Sequence, residues 1–376
     1  MRFSNAFGTT LLNVSAVTVA RPFNNSAGTS IIQQGALQAV AFNKGEAGGL
    51  SIPPGSLAVS DPFPHDSTGI TTYTSNGTTE AGSILTVTMY LAEGQQGEAI
   101  TSHPGRRTTT YLSHGNQVST TNTNTTGSEI QSLAHWYFIS AVEIWAPTPA
   151  STFVIIGDSI TDGRGSDTNL NDRWPDLLFT RLQSSQSALT NAISIANQAA
   201  GGNRILADGL GPSVLSRLDR DVLAQSGVRY AMIFEGVNDI GTAAAEPSAQ
   251  DEVYASLIAA YRQIIARIHA QAIPVFGATI TPFGSYNSTL QPYSDPAGYR
   301  EQTRSKVNAW IRDSGEFDAV VDFDAVVRDM QNTTMLAGRY DSGDQLHPNV
   351  AGYRAMAENF LVSVFEQWAG GINGYV

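Results

Sequence analysis

A chain of 376 residues is more than twice the roughly 150 residues of a typical domain, so two domains are expected, with ample chain for a core. Charged residues make up 14% of it, and 21 basic against 33 acidic side chains leave a net charge of −12, which excludes nucleic acid and anionic membrane surfaces as expected partners because both would be repelled. The absence of cysteine excludes disulfides, thiolate catalysis and Cys-ligated zinc.

Residues 1–145 carry 5 basic and 8 acidic side chains and residues 146–376 carry 16 and 25, so the charge density changes near the point where the apolar pattern changes. In the first part, runs rich in Val, Ile, Thr and Tyr at 12–20, 37–42, 83–91 and 137–145 alternate with Gly, Pro, Asn and Ser. This pattern predicts short strands joined by turns, and an all-β sandwich or jelly-roll domain over 1–145. The Asn/Thr-rich stretch 120–126 reads as a polar loop. Residues 146–151, Ala-Pro-Thr-Pro-Ala-Ser, read as a short stiff linker.

From 152 to 376 the pattern becomes strand then helix, repeated. Apolar runs at 153–156, 192–196, 231–234, 274–280 and 319–323 are continuous rather than alternating, as in parallel strands buried on both faces. Between and after them, 174–182, 212–224, 251–271, 299–313 and 348–368 carry apolar residues at three- and four-residue spacing. These segments predict helices, with Pro212 and Pro348 suited to the first helical position. Five strands with helices between them imply a doubly wound α/β domain, whose active site should gather at the carboxyl ends of the strands.

The residues following those runs carry the chemistry. Gly157-Asp158-Ser159 follows the first, Gly201-Gly202-Asn203 the second, Gly236-Val237-Asn238-Asp239 the third, and Asp344-Gln345-Leu346-His347-Pro348 precedes the last helix. A hydroxyl, an imidazole, a carboxylate and amide donors form the parts list for nucleophilic acyl transfer. On residue type alone, Ser159 needs a base, and His347 stands at a strand-end loop with Asp344 three residues away to orient it. Asn238 has a second reading, bracing its own turn, and Gly202 a second reading as a turn glycine. Asn203 and Asp239 read as hydrogen-bond partners of the site, and Asp158 and Asp162 lack a histidine pair or third carboxylate at metal-ligand spacing. Trp174 reads as helix-start packing, and His65, His103, His114, His135 and His269 as surface or packing residues. Neither G-x-G-x-x-G nor a P-loop follows the first strand, so no nucleotide cofactor is expected.

In these four blocks, and in their order, the chain resembles the SGNH or GDSL hydrolases over residues 151–368. Ile160 stands where the family has leucine. The stretches Ser4 to Thr9 (SNAFGT) and Asp219 to Gln225 (DRDVLAQ) make it similar to secreted bacterial and fungal members that carry a β-rich segment ahead of the catalytic domain. The resemblance implies a flavodoxin-like α/β/α domain with a five-stranded parallel sheet, a Ser159-His347-Asp344 triad, an oxyanion hole from Ser159, Gly202 and Asn238, and no metal or cofactor.

The expected function is a serine esterase working through an acyl-enzyme, on short-acyl or acetyl esters of a small molecule or a glycan. Lysophospholipase, lipase or acyltransferase action with the same residues, or glycan binding by an inactive hydrolase domain, are the alternatives. The loops at 163–173 and 281–297, the second with Phe283, Tyr286 and Tyr293, are expected to set acyl-chain length, their aromatics suiting sugar stacking or acyl packing alike. Only two lysines, Lys44 and Lys306, and N-x-[ST] sequons at Asn13, Asn24, Asn76, Asn124, Asn287 and Asn332 read as an extracellular surface. Secretion is therefore expected, with a leader already removed, since no membrane span or signal peptide is legible. Oligomeric state is not legible.

Overall fold

A computed structural model describes residues 1–33, 35, 37–63, 84–123, 129–146, 148–285, 287 and 289–372. His65, Pro147, the sequon residues Asn76 and Asn124, Tyr286, the start of the run at 83–91 and residues 124–126 of the stretch 120–126 lie outside the described residues. The chain divides into two compact units, Met1–Ala146 with Thr168–Leu170, and Pro147–Asp167 with Asn171–Val376.

The first unit is all-β, with its antiparallel strands divided among several small sheets of two or three. The run at 12–20 becomes two strands, Leu12–Val14 and Ala16–Ala20. The break falls at Ser15, whose N–H leaves its own strand to bond the carbonyl of Tyr90 at 2.8 Å. Alternate residues Leu12, Val14, Val17 and Val19 then face one core with Phe3, Phe42, Ile52 and Phe138, the period-two rule of a half-buried strand. The SNAFGT stretch has a structural role: Asn5 is fully buried and its amide donates to the carbonyls of Thr10 and Ile52 at 2.8 and 2.9 Å.

In the second unit the strands are β1 (Ser151–Gly157), β2 (Ile193–Asn197), β3 (Val228–Phe234), β4 (Val275–Ala278) and β5 (Ala319–Val321). They form one parallel sheet in the order β2-β1-β3-β4-β5. This is the flavodoxin-like order, and its reversal beside β1 opens a crevice at the carboxyl ends. The helices are α1 (Ser159–Asp162), α2 (Trp174–Gln183), α3 (Val214–Leu218), α4 (Val237–Thr242), α5 (Pro247–His269), α6 (Tyr299–Asp313), α7 (Phe323–Val327), α8 (Val350–Asn359) and α9 (Ser363–Gln367). Phe153, Val154, Ile155 and Ile156 of β1 are all buried, because helices cover both faces of the sheet. Trp174 opens α2 fully buried and packs edge-on against Phe323 at 5.1 Å.

Three helix expectations need correction. The predicted helix at 348–368 is two helices, α8 and α9, because Phe360 turns into the core in extended backbone. Arg181 takes the carbonyls this frees, bonding those of Ala357 and Phe360 at 2.9 and 2.7 Å. Pro348 and Pro212 do not sit at the first helical position: Asn349 and Ser213 follow them as N-cap residues. The Asn349 side chain accepts the Gly352 N–H at 3.0 Å, so the cap starts α8 at Val350, two residues after Pro348. Residues after β3, expected as a turn, wind into α4.

Candidate active site

The chain leaves β1 at Gly157 and enters α1 within two residues. Asp158 is the N-cap, its Oδ1 accepting the N–H of Ile160 at 2.9 Å, and Gly163 ends the helix in left-handed backbone. Ser159 therefore occupies the first turn of a short helix at the carboxyl end of the sheet, where backbone N–H groups lack helical partners.

Ser159 Oγ lies 2.7 Å from His347 Nε2, and His347 Nδ1 lies 2.7 Å from Asp344 Oδ2. An ionised carboxylate only accepts, so Nδ1 carries the proton and Nε2 presents its lone pair to the serine hydroxyl. The other oxygen, Oδ1 of Asp344, takes the N–H groups of Leu346 and His347 at 3.1 and 2.8 Å. One side chain thus shapes the loop and orients the imidazole. Burial acts to raise the Asp344 carboxyl, but hydrogen bonds and charge from His347 and the Leu346 N–H outweigh it and hold the group well below the usual carboxylate range.

Gly202, after β2, has φ +70, and a Cβ there would come within 2.6 Å of Leu210 Cδ1. The left-handed backbone is what favours glycine here, since the exposed Leu210 side chain, met most closely at its tip, can swing aside. Asn238, in α4, is buried; its Nδ2 donates to the Asn203 carbonyl at 2.8 Å and its Oδ1 accepts from the Tyr293 hydroxyl at 2.9 Å. One Nδ2 hydrogen remains for another acceptor. The Asn238 side chain does not brace its own turn; it reaches across to the turn that follows β2.

That turn is held from two further sides. Asp239 accepts the N–H groups of Ile205 and Leu206 through its two oxygens, each at 2.9 Å. Arg217 grips Asn203 Oδ1 through Nε and Nη2 at 3.0 and 2.7 Å, and its Nη1 bonds the Gln198 carbonyl at 2.6 Å and Asp221 at 3.0 Å. Sequence reasoning passed over Arg217, although the spacing from Val214 and Leu218 places it on the apolar face of its helix, where an arginine must find partners. Tyr293, expected in a loop that sets acyl-chain length, donates its hydroxyl to Asn238. Phe283 is buried and meets the Tyr293 ring edge-on at 6.3 Å.

Behind the nucleophile lie buried acids. Asp158 is pushed up to about 7 by burial, against the Ile160 hydrogen bond and with help from the charges of Asp239 and Asp162. Burial raises Glu235 well above its usual range and raises Asp239 as well. For Asp158 the unfolded chain ionises near 3.8 while the folded chain keeps its proton, so its stability contribution is complete below about pH 4 and is lost as pH rises to about 7. The difference is worth on the order of 4 kcal/mol at neutral pH. Asp158→Asn, which keeps the capping oxygen, is expected to melt higher than wild type at pH 7 and to show a shallower fall in Tm between pH 4 and 7. Parallel slopes for the two proteins in thermal melts across that range would refute the expectation. Among the described residues no cluster of three His, Cys, Asp or Glu side chains is arranged to hold a metal ion, and no helix is long and apolar enough to cross a membrane.

No curated protein matches the chain. Among solved structures, a protein assigned to the G-D-S-L lipolytic family from Desulfitobacterium hafniense is 21% identical, with 57% of this chain and 99% of that one covered and a TM-score of 0.41. An acetylxylan esterase from Geobacillus stearothermophilus is 20% identical, with 57% and 95% covered and a TM-score of 0.40. An acylhydrolase fold from Bacteroides fragilis is 18% identical, with 59% and 89% covered and a TM-score of 0.42. The family model of the GDSL-like Lipase/Acylhydrolase domain matches residues 153–360, more than half the chain. With that match on top of a five-stranded parallel sheet and a serine at its switch point, the chain belongs to the GDSL-like lipase/acylhydrolase family and is a carboxylic ester hydrolase.

Proposed function

We propose that the protein is a serine esterase in which Ser159 is the nucleophile, His347 the general base and Asp344 the residue that orients it. The observation that carries this reading is the unbroken chain from Ser159 Oγ to His347 Nε2 and from His347 Nδ1 to Asp344, both links 2.7 Å long. The hydroxyl attacks the ester carbonyl while its proton passes to Nε2; the imidazolium then protonates the leaving alcohol, and water, deprotonated by the same nitrogen, releases the acid. The oxyanion of each tetrahedral intermediate is received by the N–H groups of Ser159 and Gly202 and by the free Nδ2 hydrogen of Asn238.

Short acyl or acetyl esters, on a small molecule or a glycan, are the proposed substrates. Support comes from the loops at 163–173 and 281–297, whose sequences contain no amphipathic or strongly apolar segment of the kind that interfacial lipolysis uses. The test is hydrolysis of p-nitrophenyl esters from acetate to palmitate by the wild type and by Ser159→Ala. Turnover highest on acetate, and lower by about a thousandfold or more in the variant, is expected. A rate that climbs with chain length would overturn the acyl preference, and equal turnover by the variant would overturn the mechanism. An extracellular location belongs to the same proposal, supported by the scarcity of lysine and by the sequons at Asn13, Asn24, Asn287 and Asn332. A mobility shift on enzymatic deglycosylation of protein from a eukaryotic secretory host is expected, and its absence would remove the sequons from that support.

A further inference from the structure

Asn238 can serve an oxyanion only if its amide is turned the right way. A primary amide has a donating and an accepting end, and rotation by half a turn about its last bond exchanges them. In this site both ends are occupied. The Asn203 carbonyl, which can only accept, faces Nδ2 at 2.8 Å, and the Tyr293 hydroxyl faces Oδ1 at 2.9 Å.

We propose that Tyr293 is a positioning residue of the oxyanion hole, its hydroxyl holding the Asn238 amide so that the second Nδ2 hydrogen points at the reacting carbonyl oxygen. This rests on the reading of Asn238 as an oxyanion donor. Donation to Oδ1 has a second effect, because it draws charge from the amide nitrogen and makes the remaining N–H a stronger donor.

The surroundings of Tyr293 are built for this contact. Gly241 lies three residues beyond Asn238 on the same face of α4, and a Cβ there would fall 2.3 to 2.5 Å from the Tyr293 ring. The ring thus lies directly on the helix backbone, an approach that any other residue at 241 would block. Gln291, 1% exposed, ties down the segment: its Nε2 donates to the Phe283 carbonyl at 2.6 Å and its Oε1 accepts the Tyr293 N–H. Ser294 Oγ donates to the Ser285 carbonyl at 2.7 Å. Burial, with a smaller push from the Asp158 charge, raises the Tyr293 phenol above its usual range, so the hydroxyl stays a neutral donor through neutral pH.

Tyr293→Phe keeps the ring on Gly241 and deletes one oxygen. With p-nitrophenyl acetate, kcat is expected to fall about five- to tenfold, the size of one lost hydrogen bond, with KM within about twofold of wild type. Asn238→Ala is expected to lower kcat about a hundredfold or more, and adding Tyr293→Phe to it is expected to cost less than about twofold further, since the amide it positions is gone. Unchanged kcat in Tyr293→Phe, beside a large loss in Asn238→Ala, overturns the positioning role and leaves the donor standing. A five- to tenfold loss that persists in the Asn238→Ala background also overturns it, because the hydroxyl then acts by another route. Wild-type turnover by Asn238→Ala overturns the donor reading and this proposal together.

Discussion

Ser159→Ala and His347→Ala are each expected to lower kcat on p-nitrophenyl acetate by about a thousandfold or more, and the double variant to lose no more than the worse single variant. The reason lies in the geometry. An uncharged serine hydroxyl is a weak nucleophile at neutral pH, and it gains reactivity only as its proton leaves to Nε2, 2.7 Å away. Without the imidazole the hydroxyl has no base, and without the hydroxyl the imidazole has no proton to take, so either deletion removes the whole device. The rate that survives is what binding and the oxyanion donors supply without covalent chemistry. KM is expected to change little, because neither group is asked to hold the ground-state ester. Steady-state rates on the two single variants and the double variant check this. Losses that multiply would show that the two residues act independently, contrary to a triad.

Arg217→Met is expected to destabilise the catalytic unit by about 3 to 5 kcal/mol, the usual consequence of removing one partner from a buried charged network. For a domain of this size that is a fall in Tm of roughly 10 °C. The Arg217 side chain is 5% exposed and makes contacts that methionine cannot replace: two to Asn203 Oδ1, one to the Gln198 carbonyl and one to Asp221. Its Nη2 also stands 3.8 Å from Oε2 of Glu235, an acid whose side chain has 0% exposure. Activity is expected to fall with stability, since the turn that Arg217 grips also carries Gly202. Arg217→Lys is expected to lie between the two, keeping charge near Asp221 and Glu235 but losing the planar fork on Asn203. Thermal melts and kcat on the three proteins test the argument, and a methionine variant that melts with the wild type would refute it.

The parallel sheet was legible in the chain because strands buried on both faces must be continuous apolar runs, a local property of residues such as Phe153 to Ile156. The four polar blocks were legible for a related reason: in a doubly wound fold, the residue after each strand arrives at the same edge whatever the connecting helices do. Ser159, Gly202 and Asn238 are such residues, whereas His347 comes well after β5, beyond α7, and reaches the edge through the loop that precedes α8. Helix ends at proline were less legible, since Asn349 caps α8 where Pro348 alone suggested the start, and burial of Phe360 divides the last helix in two. In the β-rich unit alternation marked strands, but the break at Ser15 depends on its bond to Tyr90, 75 residues away by number.

What the amino-acid sequence by itself determined is the fold class of the catalytic unit, its family and the identity of the groups brought to the sheet edge. Only the tertiary structure decided how those groups are held: Asp344 wrapping its own loop, Arg217 gripping Asn203, and the Tyr293 hydroxyl reaching Asn238 across 55 residues of chain. The difference is physical. Period and composition are set by which face of an element meets the core, a short-range requirement written into every turn of the chain. A hydrogen bond between two loops depends on where separate segments end after the whole domain has packed, and no local pattern encodes it.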